Sequence, residues 1–253
     1  MIDRHEDTLI ILAKNIDVEM HRHHAVQLVV SLDKPYNAIL ARQEIESVRG
    51  FLIDSDIPHA CQSAESTVLV ISVDASSAKG RMLKQQLSKQ TFALIDEIFS
   101  VEAIDRFSTA YWSYCRDAKN EFDPLYFIHK LRDGQNDATP VDARSLAAID
   151  FINQHISKTI KLIDIAKHVG LSESRLRHLF AEQIGIPLTA YILWVRIKVA
   201  LREMLLPGAI LSDAAHQAGF SDHAHFTRTF RRMFRVSPSL LLKYGQFIQV
   251  FGL

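Results

Sequence analysis

Two segments in the C-terminal half of the chain carry the same pattern of residues. The first runs from Ile165 to Ser172 and the second from Ala214 to Ser221. In each, an alanine stands four residues before a glycine, and the glycine is followed by an apolar residue and a serine. Two apolar residues spaced by four follow each segment, namely Leu176 and Phe180 in the first copy and Phe226 and Phe230 in the second. The chain therefore contains two copies of one predicted supersecondary unit.

The repeated pattern is the one that a helix-turn-helix requires. Glycine adopts the left-handed conformation that ends the first helix at low cost. The apolar residue after it fills the corner, and the serine is predicted to cap the second helix. The two later apolar residues hold the second helix against the core and leave its other face for the DNA major groove. One copy would fit any compact helical hairpin, but two in tandem favour the DNA-binding interpretation.

The charges of the chain are unevenly distributed, although its net charge is zero. Residues 143–253 contain 14 Lys and Arg against 7 Asp and Glu, whereas residues 1–142 contain 15 against 22. The sign changes near residues 133–140, which hold turn formers and no apolar residue larger than alanine, and which we interpret as a linker. A basic C-terminal half is typical of a chain with a polyanionic partner such as nucleic acid.

The pattern of apolar residues predicts an α+β protein of two domains, 1–140 and 141–253. Residues up to about 73 contain β-branched runs, best seen in 27–32 and 67–73, and predict short strands. Helical spacing takes over between Lys79 and Lys130. Strands followed by helices indicate a small sheet or barrel that carries helices. After the linker the chain is predicted to be almost wholly helical, with a long helix that ends at Pro207.

Composition also narrows the class of protein. The chain contains no run of roughly 20 apolar residues, so we expect no membrane span. Its start has mixed charges and only a short apolar run, unlike a signal peptide. Two isolated cysteines, Cys61 and Cys115, fit a reducing cytoplasmic compartment. They also argue against a DNA-repair methyl acceptor, which needs a cluster of cysteines.

Residues from about 143 to 248 resemble the DNA-binding domain of the AraC family of transcription regulators. The stretch from Ala215 to Pro238 matches the C-terminal signature of that family. Arg235 replaces its usual glycine, and Pro187-Leu188 replaces a frequent serine-proline pair. The resemblance implies recognition helices from about Glu173 to Gln183 and from about Asp222 to Phe234.

The resemblance also implies which side chains face DNA. The groove-facing positions are Ser174, Arg177, His178, His223, Ala224, His225 and Arg228. Arginine can grip guanine with two hydrogen bonds, and histidine or serine can meet base-edge acceptors. Further basic residues are expected to anchor phosphates or to be surface charges; they are Lys198, Arg196, Arg231 and Arg232.

The N-terminal half contains a weaker signal. The segment from His21 to Gln27, followed by Gly50 to His59, resembles the two half-motifs of a cupin barrel. On one strand His21, His23 and Gln27 would share a face, and His59 could join them from a second strand. Three imidazoles suit a transition metal, but glutamine stands where metal-binding cupins usually have glutamate. We expect no metal or cofactor here, and a structural cluster or a polar wall of an effector pocket instead.

The sequence thus predicts a cytoplasmic, sequence-specific DNA-binding regulator, an activator more than a repressor, that responds to a small-molecule effector and is not an enzyme. Its expected partners are double-stranded DNA, RNA polymerase and a second copy of the chain, paired through the aromatic-rich helices of 79–130. Two alternatives remain open at this point. One is a metal-dependent cupin enzyme with an accessory DNA-binding domain, and the other is a constitutive architectural DNA binder.

Overall fold

In a computed structural model, the protein is described over residues 8–117, 119–132, 141–204, 206, 208–234, 237–239 and 245–251. These residues form two compact units, one made of 8–132 together with 233–234, 237–239 and 245–251, and the other made of the described residues from 141 to 232. The predicted linker at 133–140 lies outside the described residues, as do Pro207 and Arg235. The predicted domain limits therefore stay a prediction.

The first unit is built on eight strands among the described residues. Their bounds are β1 (Thr8–His21), β2 (Ala25–Ser31), β3 (Tyr36–Leu40), β4 (Gln43–Val48), β5 (Gly50–Ile53), β6 (His59–Asp74), β7 (Phe92–Leu94) and β8 (Gly245–Phe251). The long strand β6 organises the sheet, because β1 pairs with it along one side while β3 and β2 pair with successive parts of its other side. The sheet then continues from β3 to β4, from β2 through β5 to β7, and from β1 to β8. All these pairs are antiparallel.

The expected barrel is not closed. Closure requires every edge strand to find a partner on its outer side. Within the described residues the sheet is branched and ends on β4, β7 and β8. The α+β class predicted from the sequence is confirmed, and the cupin-like barrel is corrected to an open sheet.

Helices cover one face of this sheet. They are α1 (Ala78–Gln86), α2 (Ile95–Ile98), α3 (Val101–Arg116) and α4 (Tyr126–Arg132), which confirms the helical prediction for this part. Side chains alternate between the two faces of a strand. On β2, Val26 and Leu28 share a core with Phe107 and Phe127 of the helices, so the intervening Gln27 points to the opposite face. That opposite face carries the polar residues discussed below.

The second unit is helical. Its helices are α5 (Ala143–His155), α6 (Leu162–His168), α7 (Glu173–Ile184), α8 (Leu188–Met204), α9 (Leu211–Gln217) and α10 (His223–Phe234). The start of α8 shares a core with α7 through Leu188, Tyr191 and Val195, and α8 also packs against α9. The two predicted recognition helices correspond to α7 and α10, which confirms both as helices.

The strand β8 was not predicted. The chain after the linker was expected to be helical, but residues 245–251 form a strand that pairs with β1 from Thr8↔Phe251 to Ala13↔Gly245. The segment contains Phe247, Ile248 and Val250, and such residues favour strands. Its partner β1 lies within the first 73 residues, for which short strands were predicted.

Among the described helices, no single one is long and apolar enough to cross a membrane. The pair α7 and α8 reaches that length and apolar composition only when taken together, and the two helices are bent by 63° relative to each other.

Candidate nucleic-acid interface

The first helix-turn-helix unit has the predicted turn. Gly170 takes a φ of +67° and ends α6. The amide of Leu171 then donates to the carbonyl of Ala166 at 2.9 Å, the bond that closes a left-handed helix terminus. Two residues after the glycine, the hydroxyl of Ser172 accepts from the amide of Arg175 at 3.2 Å and caps α7. The predicted serine cap is confirmed here.

The second unit repeats the turn but not the cap. Gly219 has a φ of +79°, and the amide of Phe220 donates to the carbonyl of Ala215 at 3.0 Å. The cap, however, is Asp222, whose carboxylate accepts from the amide of His225 at 2.6 Å. The predicted Ser221 cap is wrong, because the second turn is one residue longer than the first. An aspartate directly before the helix was the available signal, since it is as good a cap as serine.

We expect Asp222→Ala to lower the urea midpoint of unfolding, because it leaves the amide of His225 without its acceptor. That amide also holds the pKa of Asp222 below its usual value, so the carboxylate cap is charged at neutral pH. The matched control is Ser221→Ala, whose hydroxyl contacts Asp222 and His225 without capping the helix. A larger loss of stability in the control, measured by circular dichroism, would contradict this assignment.

Each recognition helix has one buried and one exposed face. Leu176 and Phe180 of α7, and Phe226 and Phe230 of α10, are all 0% exposed, which confirms their anchoring role. Most of the predicted groove-facing side chains are exposed; these are Ser174, Arg177, His178, His223, Ala224 and Arg228. Arg231 and Arg232 are exposed as well. The sequence therefore predicts the buried face of both helices correctly.

Three of these side chains have neighbours on their own helix or turn. The Arg177 guanidinium lies 3.5 Å from the Glu173 carboxylate. The His223 ring lies 3.2 Å from the Thr227 hydroxyl. His225 is half-buried, 3.2 Å from the Ser221 hydroxyl, and edge-on to the Phe220 ring at 5.2 Å. It thus belongs to the turn that starts α10, and the sequence pattern did not reveal this.

Arg196 is half-buried in the second unit. Its guanidinium donates to the carbonyl of Lys158 at 3.1 Å, and its Nε is buried with no hydrogen-bond partner in the described part of the chain. Burial lowers the pKa of this guanidinium. A Cβ placed on Gly219 would lie 3.1 Å from that Nε and would overlap the carbonyl oxygen of Ile156. Arg196 therefore packs against the turn of the second unit, and its predicted DNA contact stays a prediction.

A second polar cluster lies in the first unit. His21 ends β1, His23 follows in the loop, Gln27 lies on β2 and His59 begins β6. The expectation that His21, His23 and Gln27 share one strand is wrong, because the chain leaves β1 after His21. The pairing of β1 with β6 nevertheless places His21 opposite His59, with ring centroids 4.2 Å apart. His23 lies 5.4 Å from the first of these rings and 5.0 Å from the second.

Hydrogen bonds fix part of this cluster. Gln27 donates through Nε2 to the hydroxyl of Ser72 at 3.1 Å, and its Oε1 lies 3.1 Å from Nε2 of His59. Burial, reinforced by the neighbouring imidazoles, lowers the pKa of His23 well below its usual value and that of His59 to about 3. These two rings are therefore neutral at neutral pH. Sequence reasoning missed Ser72, which its register opposite Gln27 places here.

Two turns that share a left-handed glycine and the same closing hydrogen bond, each followed by a capped helix with an exposed basic face, define a helix-turn-helix domain. Residues 165–244 match the sequence family described as "Helix-turn-helix domain". This part of the chain is an AraC-type helix-turn-helix domain, which confirms the resemblance found in the sequence.

Curated relatives match the same region. The chain is 32% identical over 92 residues to the lactose operon transcription activator of Staphylococcus xylosus. This match covers 36% of the chain and 33% of that protein. It is 32% identical over 101 residues to the arabinose operon regulatory protein of Salmonella typhimurium, covering 40% and 36% respectively. The matches thus span about a third of these relatives.

Solved structures extend the likeness of fold to nearly the whole chain. ToxT from Vibrio cholerae O395 aligns with a TM-score of 0.60 at 16% identity, covering 95% of this chain and 98% of that one. The structure of wild-type ToxT from Vibrio cholerae strain SCE256 with an unsaturated fatty acid bound aligns with a TM-score of 0.55 at 14% identity, covering 97% and 98%. At this identity the likeness concerns the fold alone.

Proposed function

We propose that the protein is a sequence-specific DNA-binding transcription regulator. The observation that carries the proposal is the pair of capped recognition helices in one unit, each anchored by two fully buried side chains and exposing basic and polar residues on its other face. A helix presented in this way fits the major groove with its first turns against the base edges. The family match over 165–244 and the two named operon regulators support the same function.

The exposed residues fall into two groups, according to whether their position on the helix suits contact with bases or with phosphates. Arg177 and Arg228 lie within the first half of each helix, where a guanidinium can reach guanine O6 and N7. Ser174, His178, His223 and Ala224 complete the base-reading set. Arg231 and Arg232 lie in the last turn of α10 and suit phosphates, which fix register without reading sequence.

Selection of binding sites from a random duplex pool tests the proposal with the full chain. We expect enrichment of a motif with two parts about one helical turn apart, since each recognition helix reads one part. Titration of the selected duplex and a scrambled duplex, at several salt concentrations, then measures the preference. Equal affinity for both duplexes would point to an architectural DNA binder instead.

We propose that the first unit binds a small-molecule effector. The whole protein is proposed to act in the cytoplasm as an activator that recruits RNA polymerase, and to have no enzymatic activity of its own. A named precedent for ligand binding on this fold is ToxT with its unsaturated fatty acid. The predicted pocket wall, made of His21, His23, Gln27 and His59, is buried in the first unit. An effector bound at this buried position would change the stability of the sheet around it.

Self-association is proposed through α3. Two aromatic residues of the helices predicted for pairing, Phe107 and Tyr111, belong to the core, since they are 3% and 6% exposed. Val101 and Trp112, however, are 51% and 38% exposed and lie three turns apart on α3, on one face. We expect a dimer in sedimentation equilibrium, weakened by Trp112→Lys with Lys119→Ala as a surface control. Monomers at tens of micromolar, with and without DNA, would contradict this proposal.

A further inference from the structure

Three buried imidazoles converge in the first unit. His21, His23 and His59 each offer one ring nitrogen, and these three atoms all lie within 4.8 Å of one another. The residues are 7%, 3% and 1% exposed. They come from the end of β1, the loop after it and the start of β6, so the fold and not a single sequence motif brings them together.

The hydrogen bonds of two rings determine where their lone pairs lie. Nδ1 of His21 is 2.9 Å from the carbonyl oxygen of Glu19, and Nδ1 of His59 is 2.9 Å from that of Ile57. A carbonyl oxygen only accepts, so both Nδ1 atoms carry the proton and each neutral ring has its lone pair on Nε2. Anchoring of Nδ1–H on a backbone carbonyl is the outer-shell arrangement that orients histidine for a metal ion.

Gln27 faces His59 in an arrangement that a cation would satisfy. Its Oε1 lies 3.1 Å from Nε2 of His59, and both atoms are acceptors in the tautomer just described. One hydrogen of its amide nitrogen is donated to the hydroxyl of Ser72. Rotating the amide by half a turn would also relieve this conflict, because the nitrogen would then donate to His59.

His23 is less well satisfied. Both of its ring nitrogens are buried and make no hydrogen bond of normal geometry within the described residues, although Gln27 lies near enough to affect its pKa. A buried polar group left in this state is costly and rare in native proteins. Because one of these nitrogens points into the cluster of three, a ligand there would satisfy it.

We propose that His21, His23 and His59 bind one divalent late transition-metal ion of the Zn²⁺ type, with Oε1 of Gln27 as the fourth ligand. Imidazole nitrogen is a preferred donor for this class of ion. In a tetrahedral zinc site with Zn–N bonds of about 2.0 to 2.1 Å the nitrogens lie about 3.3 Å apart, so small rotations of the rings must close the site. The four ligands are neutral, which leaves the ion exchangeable and suits a regulated site better than a permanent structural one.

The test uses the full chain after removal of metals by a chelator. Equilibrium dialysis against Zn²⁺ is expected to give one saturable equivalent per chain, together with a rise in the melting temperature because the ion binds only the folded state. Co²⁺ in place of Zn²⁺ should give the visible absorption of a four-coordinate site. His21→Gln and His59→Gln should each weaken Zn²⁺ binding on the order of 100-fold or more.

The matched control is His24→Gln. His24 is equally buried and adjacent to the cluster in sequence, but it lies outside the three-histidine group and 3.6 Å from the carboxylate of Asp56. This variant should keep the equivalent of Zn²⁺. Absence of a saturable equivalent in the wild type would overturn the proposal, and so would retention of full affinity in both cluster variants.

If neither His21→Gln nor His59→Gln folds, Gln27→Glu tests whether a metal ion occupies the cluster. A carboxylate at this position should tighten Zn²⁺ binding about tenfold or more if an ion occupies the site. If the cluster is only structural, the same change buries an unpaired charge, and added Zn²⁺ leaves the melting temperature unchanged. DNA binding is measured on the same samples, and because the metal site does not depend on it, either proposal can fail alone.

Discussion

Replacing Gly219 by alanine is expected to destabilise the helical unit by about 2 to 5 kcal/mol. The φ of +79° costs an L-residue about 1 to 2 kcal/mol. The new methyl group would also overlap the carbonyl oxygen of Ile156, and relief of such overpacking costs about 1 to 3 kcal/mol more. Backbone has to move, because the obstructing atom is not at the end of a flexible side chain.

The equivalent glycine of the first turn provides the control. Gly170 has a φ of +67°, but no atom lies within 4 Å of the position of its Cβ. Gly170→Ala should therefore cost only the conformational part, about 1 to 2 kcal/mol. Urea unfolding of both variants by circular dichroism measures the difference. Equal losses would show that the packing against Ile156 and Arg196 contributes nothing.

Arg177→Ala and Arg228→Ala are each expected to weaken binding to the selected duplex by about 1 to 3 kcal/mol, and binding to a scrambled duplex much less. Both side chains are exposed on helices whose opposite faces are fully buried, so neither substitution should disturb the fold. Each variant should also relax the preference at one base pair. Titrations against both duplexes measure these effects.

Arg202→Ala is the matched control, because it removes one positive charge from α8 and lies outside both recognition helices. It should change the two affinities little. If Arg177→Ala or Arg228→Ala instead lowers both affinities equally and makes the salt slope shallower by about one unit, the arginine contacts phosphate and not bases.

The helical half of the protein was predictable because its signals are local. A glycine followed by an apolar residue and a polar cap fixes a helix end within five residues. The burial of Leu176, Phe180, Phe226 and Phe230 follows from their spacing. The cap at Asp222 was missed because the repeat was aligned on its serines while the second turn is one residue longer.

The first half was less predictable because its structure depends on contacts distant in sequence. Pairing of β8 with β1 joins residues more than two hundred positions apart, and no local pattern specifies it. The same holds for the histidines. The sequence placed His21 and His23 on one strand, whereas the register of β1 against β6 brings His21 to His59 and leaves His23 in a loop beside them.

The return of β8 to the sheet has a mechanical consequence. The helical unit lies in sequence between two parts of the first unit. Because β1 and β8 are antiparallel and Thr8 pairs with Phe251, a force applied between these two residues would peel the strands apart one hydrogen bond at a time. Such unzipping resists far less force than shearing. The helical unit would carry no load until the last of these bonds, near Ala13 and Gly245, had opened.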